Sequence, residues 1–208
     1  MLYLIGGSPR GGKTILSKKL SKKIEVPYIS TDYLKLILRP YFKEKKREEM
    51  FPFDKIWKKL NLNEYFLNYT GKQMLAIDIK EGKTLWTGMK YLISHLSKRK
   101  IDYIIEGVHL LPNLIKDFKD NPNVKIIFLT KTDEEKIYSG LFKNKSERDW
   151  ILEKVKDRDI LKLVAKSLSF QGSYFEKETK KYNFKLINTE KNFSTKINEA
   201  VKYLTSKK

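Results

Sequence analysis

The chain has 208 residues, a length that predicts one domain, and 40% of them are hydrophobic, which is enough for a core and excludes a wholly disordered chain. Lysine and arginine number 44 against 25 aspartates and glutamates, so the net charge is +19. The absence of cysteine excludes disulfides, cysteine-ligated metal sites and a cysteine nucleophile, and the two histidines, His95 and His109, are too few for a histidine metal cluster.

Hydrophobic patterning predicts strands that alternate with helices from one end of the chain to the other. Strands are predicted at 2–5, 27–30, 101–106, 124–129 and 184–187. Helices are predicted at 13–24, 32–39, 64–80, 84–96, 132–141, 160–180 and 194–204, with a break at Gly82 and irregular structure over 41–62. This alternation is typical of a parallel sheet with helices on both faces. No Gly/Ser-rich linker divides the sequence, so we expect a single domain over residues 1–208.

No run of 18 apolar residues occurs, so the sequence predicts no membrane partner, and the first residues lack a signal-peptide pattern. We therefore expect a soluble, cytoplasmic protein. The positive charge comes from 38 lysines and only 6 arginines, spread along the chain. Nucleic-acid sites favour arginine, so a general compositional drift explains the charge better than a nucleic-acid partner, although a positive field attracts any anion.

The strongest motif is a glycine-rich loop between the first strand and the first helix. Its pattern, G-x-x-x-x-G-K-[ST], is that of a phosphate-binding loop, in which backbone N–H groups and the positive end of a helix hold a nucleotide's phosphates. The lysine reaches the β- and γ-phosphates, and the threonine hydroxyl binds Mg²⁺. Arg10 is either a second phosphate contact or exposed. The predicted nucleotide site comprises Gly7, Ser8, Pro9, Arg10, Gly11, Gly12, Lys13 and Thr14.

Two acids follow predicted strands, where side chains line the ligand crevice of a parallel sheet. Asp32 is a candidate general base that accepts the proton of an attacking hydroxyl, with a helix-capping role as the alternative. Glu106 ends an apolar strand, as a Walker B acid does, and is a candidate for holding Mg²⁺-bound water or a substrate hydroxyl, or for bonding the loop. His109, three residues later, is either a substrate contact or a structural histidine.

Two charged segments complete the candidate site. Residues 142–159 are predicted to form a small basic lid over the phosphates, with Arg148 and Arg158 as its catalytic cations and Lys143 and Lys145 as further candidates; the alternative is a solvated helix face. Residues 33–80 form a long insertion on the acceptor side. The residues in it that are expected to line the acceptor pocket, with core packing as the alternative for each, are Arg39, Lys43, Trp57, Tyr65 and Tyr69.

The stretches GGSPRGGKT (6–14), YISTDYLKLILR (28–39) and IIEGVHLLP (104–112) make the chain similar to small P-loop kinases and, more narrowly, to the 2-phosphoglycerate kinase family. This resemblance implies an α/β P-loop NTPase three-layer sandwich with sheet order 2-3-1-4-5. It also implies ATP with Mg²⁺ as the phosphoryl donor and a small hydroxylated, anionic acceptor. The acceptor region FKEKKREEMFPFDKIWKK lacks the His/Ser-Ser element of that family.

The leading hypothesis is therefore an ATP-dependent kinase that acts on a small-molecule hydroxyl, with Lys13 as phosphate clamp, Asp32 as base and Arg39, Glu106 and His109 among the substrate contacts. Kinases of polynucleotide or RNA hydroxyls, or of sugar nucleotides as in zeta-type toxins, are alternatives in the same reaction class. A non-catalytic nucleotide-binding regulator is the alternative outside it. The oligomeric state does not follow from the sequence.

Overall fold

A computed structural model describes residues 1–143 and 150–206 of the chain. A five-stranded, wholly parallel sheet lies at its centre, in the order β2-β3-β1-β4-β5, as the resemblance implied. The strands are β1 (Leu2–Gly7), β2 (Tyr28–Ser30), β3 (Tyr103–Glu106), β4 (Val124–Thr130) and β5 (Leu186–Asn188). This order brings the carboxyl ends of β1, β2 and β3 side by side.

Helices pack on both faces of the sheet, which is the three-layer arrangement expected of such alternation. They are α1 (Lys13–Ile24), α2 (Thr31–Leu38), α3 (Glu44–Met50), α4 (Pro52–Trp57), α5 (Leu62–Asn68), α6 (Gly71–Lys98), α7 (Pro112–Ile115), α8 (Glu134–Lys143), α9 (Trp150–Lys154), α10 (Arg158–Lys181) and α11 (Phe193–Thr205). Short 3-10 helices follow α2, at Arg39–Tyr41, and α7, at Lys116–Phe118.

Alternate residues of the central strands enter opposite cores, as strand geometry requires. On one face, Leu4 of β1 packs with Leu85 and Met89 of α6. On the other face, Ile5 packs with Leu16 of α1 and with Val201 of α11. A third cluster lies beyond the sheet, among α5, α6, α8, α9 and α10. None of the described helices is long and apolar enough to cross a membrane.

Two predictions about the middle of the chain are wrong. The predicted break at Gly82 does not occur, because α6 runs unbroken for 28 residues. One interior glycine costs a helix only about 1 kcal/mol, and the packing of α6 along the sheet outweighs that cost. The helix instead begins at a capping box formed by Thr70 and Gln73. The stretch 41–62, predicted to be irregular, contains the short helices α3 and α4.

Candidate active site

The glycine-rich loop connects β1 to α1 and has the backbone geometry of a phosphate cradle. Gly7 and Gly12 adopt φ angles of 127° and 102°, which favour glycine, and Arg10 at the apex lies in the left-handed region at 57°. A Cβ on Gly7 would stand 1.9 Å from the carbonyl oxygen of Leu129, so a side chain is excluded there. The Ser8 N–H donates to that same carbonyl at 3.0 Å, which ties the loop to β4.

Lys13, the first residue of α1, is only 7% exposed. Its ammonium group donates a 2.8 Å hydrogen bond to the Ser8 carbonyl, so it lies across the mouth of the loop. Burial lowers the pKa of Lys13, and the carboxylates of Glu106, Asp32 and Asp78 oppose that shift. Lys13 is thus a buried cation beside the loop, and three nearby carboxylates favour its charged form.

Glu106 ends β3 beside the loop and is 3% exposed. The Thr14 hydroxyl donates to its Oε1 at 3.1 Å. Burial raises the pKa of Glu106, while Lys13 and the Thr14 hydrogen bond oppose the rise. The hydroxyl and the carboxylate are oxygen ligands of the kind Mg²⁺ prefers, and their direct contact brings both to one point at the edge of the sheet.

Asp32 follows β2 and lies in the first turn of α2, where the Ser30 hydroxyl accepts from its N–H at 3.3 Å. Ser30, and not Asp32, therefore caps the helix. The Asp32 carboxylate is 66% exposed. His109 is 2% exposed, and its Nδ1 lies 2.9 Å from the Thr31 hydroxyl and 3.8 Å from Asp32 Oδ1. The histidine packs beneath the candidate base and contacts it from the protein side.

A buried acid on α6 supports this corner of the site. Glu81 is fully buried and accepts a 2.9 Å hydrogen bond from Lys35 on α2 and a 3.2 Å bond from the Phe53 N–H. Nε2 of His109 lies 3.7 Å from Glu81. Burial favours the neutral acid, but His109 and Lys35 outweigh it and hold the pKa of Glu81 below its usual range. Glu81 thus links α2, α4 and β3 around the candidate base.

One cavity of about 1500 Å³ joins the loop to the acceptor side. It is large enough for a nucleotide together with a second small molecule, because sites for single ligands usually measure about 300–1,000 Å³. The predicted site residues that line it are Pro9, Arg10, Lys13, Thr14, Asp32, Glu106 and His109. Trp57 and Tyr65 of the predicted acceptor region line it as well.

Three predicted contacts from the acceptor insertion are not brought to this cavity. Arg39 instead pairs with the buried carboxylate of Asp54, its Nε donating to Oδ2 at 3.0 Å, and Arg47 lies 3.2 Å from the same oxygen. The prediction of Arg39 as a substrate contact is corrected, because its charge neutralises a buried acid. Lys43 lies outside the cavity lining, and Tyr69 lines a separate, smaller cavity.

The lid candidates are only partly described. Arg148 and Lys145 lie outside the described residues, as does the side chain of Lys143. Arg158 begins α10 with an exposed side chain that does not line the cavity. Among the basic side chains of this region that the structure describes, Lys154 of α9 lines the cavity.

The sequence reasoning missed three polar residues of the site: Asp78, Glu81 and Gln171. All three lie on the long helices α6 and α10. A signal existed for Glu81, because it falls on the apolar stripe of α6 that continues through Leu85 and Met89, and a charge on a buried stripe indicates a function or a buried partner.

Comparison with known proteins places these features in context. No protein-family model matches the chain. The 2-phosphoglycerate kinase of Methanocaldococcus jannaschii is 25% identical over 138 residues, which cover 65% of this chain and 43% of that protein. The chain therefore matches less than half the length of this curated relative.

Among solved structures, a shikimate kinase from Bacteroides thetaiotaomicron aligns over 98% of this chain and 96% of its own, with 16% identity and a TM-score of 0.47. A deoxyadenosine kinase from M. mycoides aligns over 98% of both chains, with 18% identity and a TM-score of 0.48. In its loop and its sheet order the chain has the P-loop NTPase fold, and in sequence it is similar to a 2-phosphoglycerate kinase.

Proposed function

We propose that this protein is a kinase that transfers the γ-phosphoryl group of ATP to a hydroxyl of a small molecule. The observation that carries the proposal is that the phosphate loop and the exposed carboxylate of Asp32 line one cavity. A nucleotide held by the loop would direct its terminal phosphate toward Asp32, since β1 and β2 are separated only by β3 in the sheet.

In this reaction the acceptor's hydroxyl oxygen attacks the γ-phosphorus and gives its proton to Asp32. A bond forms between that oxygen and phosphorus, the bond to the bridging oxygen of ADP breaks, and ADP leaves with the electron pair. Lys13 and the loop N–H groups stabilise the charge on the phosphates. His109 and Glu81 orient Asp32 from beneath, and Asp32 keeps its exposure to the acceptor.

The residues at the end of β3 suit a magnesium ion that accompanies the nucleotide. Thr14 and Glu106 contact each other at 3.1 Å and provide oxygen donors beside the loop, and we propose that they hold Mg²⁺, directly or through water. Bound there, the ion would neutralise charge on the β- and γ-phosphates.

We propose residues 142–159 as the lid and residues 33–80 as the acceptor-side insertion of a single domain. Lys154 and Arg10 line the cavity wall and would contact the phosphates from the open side. Arg148 and Arg158 are proposed as the catalytic cations of this lid.

The decisive experiment incubates the purified protein with γ-labelled ATP, Mg²⁺ and pools of small metabolites, sugar nucleotides and RNA. We expect label to move to a small molecule. Lys13→Ala should reduce transfer at least about 100-fold and preserve the fold, because it removes the phosphate clamp. Lys22→Ala, an exposed lysine of the same helix, is the matched control. Full activity of Lys13→Ala, or labelling of RNA alone, would contradict the proposal.

A further inference from the structure

The charged side chains of the acceptor region differ in whether they have an ion-pair partner. Lys59 lines the cavity with no ion pair to a described residue, whereas two other lysines of the wall are already paired with acids: Lys35 with Glu81 at 2.9 Å, and Lys58 with Glu44 and with Glu48, the latter at 2.7 Å. A cation already bound to a carboxylate has little attraction left for an anionic substrate, because the pair must be broken first.

Asp78, which lies one turn before Glu81 on α6, differs from these paired lysines. It lines the cavity but makes no hydrogen bond or ion pair with any residue that the structure describes. Burial raises its pKa to about 7; His109 and Lys35 oppose the rise, and the carboxylates of Glu81 and Asp32 add to it. This part of the wall therefore offers oxygen atoms with no partner among the described residues, which suits a ligand group that donates hydrogen bonds.

Gln171 of α10 gives a second and independent indication. It is 5% exposed, it lines the same cavity, and its side-chain oxygen is buried with no hydrogen-bond partner in the described part of the chain. A buried amide without partners costs about 1–3 kcal/mol, so it usually has a partner in the functional state. Its amide can both donate and accept, which suits a hydroxyl group.

Aromatic rings form the adjacent wall. Phe53 and Trp57 stack with centroids 5.9 Å apart, and Tyr65 lies 5.6 Å from the first ring and 5.3 Å from the second. All three line the cavity. Such a wall binds the apolar face of a ring and gives little to a short acyclic acid.

Resting on the proposed function, we propose that the acceptor is a neutral or cationic ring compound that bears several hydroxyl or amino groups, and that Asp78 and Gln171 select it. One hydroxyl reacts beside Asp32, and neighbouring O–H or N–H groups donate to Asp78 and pair with Gln171. This differs from the small anionic acceptor that the sequence resemblance implied.

The first test asks which charge class of metabolite accepts the phosphoryl group. A small-metabolite extract is separated by ion exchange into an anionic fraction and a neutral-plus-cationic fraction, and each is incubated with the protein, Mg²⁺ and γ-labelled ATP. We expect the neutral-plus-cationic fraction to be labelled. Labelling of the anionic fraction alone, or of added 2-phosphoglycerate, would overturn this inference but leave the kinase intact. Labelling of neither fraction would refute the kinase and, with it, the inference.

The second test assigns the selectivity to the two residues. Asp78→Asn and Gln171→Met should each raise KM for the labelled acceptor about tenfold or more, since hydrogen bonds to charged or buried groups are worth that much. KM for ATP should stay unchanged in Gln171→Met, which separates recognition from loss of the fold. Asp120→Asn, an exposed aspartate outside the cavity, is the control. An unchanged acceptor KM in Asp78→Asn would overturn the assignment.

Discussion

The carboxylate of Asp78 should make the stability of the unliganded protein depend on pH. Its pKa is raised by burial from 3.8 to about 7 in the folded chain, so the folded state binds a proton that the unfolded state has already released over this range. Stability is therefore lost as pH rises from about 4 to 7, and the penalty is fully present above pH 7. A shift of this size corresponds to about 4 kcal/mol in total and about 2.5 kcal/mol between pH 5 and pH 8. Both are upper limits, because solvent in the cavity screens a partly exposed carboxylate.

Asp78→Asn removes this titration and preserves the shape of the side chain. We expect the variant to be more stable than the parent at pH 8 and to lose most of that advantage at pH 5, in urea unfolding followed by circular dichroism. Asp120→Asn is the matched control, because that aspartate is exposed and lies outside the cavity. If the advantage of Asp78→Asn were the same at pH 5 and pH 8, burial of Asp78 would not be the cause, and the charge argument for the acceptor would be weakened.

Two further substitutions separate structure from recognition. Arg39→Ala should lower the free energy of unfolding by about 2 kcal/mol and leave the acceptor KM unchanged, because it removes one of two partners of the buried Asp54; a changed KM with full stability would restore Arg39 as a substrate contact. Gly7→Ala should destabilise the protein by about 3 kcal/mol or more in urea unfolding, since its Cβ would meet the Leu129 carbonyl at 1.9 Å, and an unchanged midpoint would contradict the loop geometry.

The parts of the site that could be predicted from sequence are those whose signal lies within a short stretch of the chain. The loop carries its own signal, because glycine positions and the Lys13-Thr14 ending are consecutive and their physics depends on few other residues. Glu106 and Asp32 were also recognisable as candidates, since each follows a strand, and parallel strands end at one edge of the sheet. Their roles in the reaction remain predictions.

The acceptor side could not be read in the same way, because it depends on pairings between distant residues. Arg39 and Lys35 are both basic residues of one segment, and only the fold shows that each neutralises a buried acid, Asp54 and Glu81 respectively. The residue type predicts the charge of a side chain. Whether an ion pair neutralises that charge depends on the tertiary structure. The sequence therefore suggested Arg39 and Lys43 as pocket residues, whereas neither lines the cavity and Asp78 does.

The acceptor wall gains its rigidity from the same helix that fills the core. Leu85, Met89 and Ile93 of α6 are almost wholly buried against the sheet, and Asp78 and Glu81 lie on the turns immediately before them. Because the helix is continuous through Gly82, displacement of either acid would have to break core packing. Carboxylates held on such an element keep their position when a ligand enters, and binding sites built on rigid elements are more selective than those on loops. The sequence analysis did not predict this uninterrupted helix. The helix holds Asp78 in a fixed position, which the proposed selection of the acceptor requires.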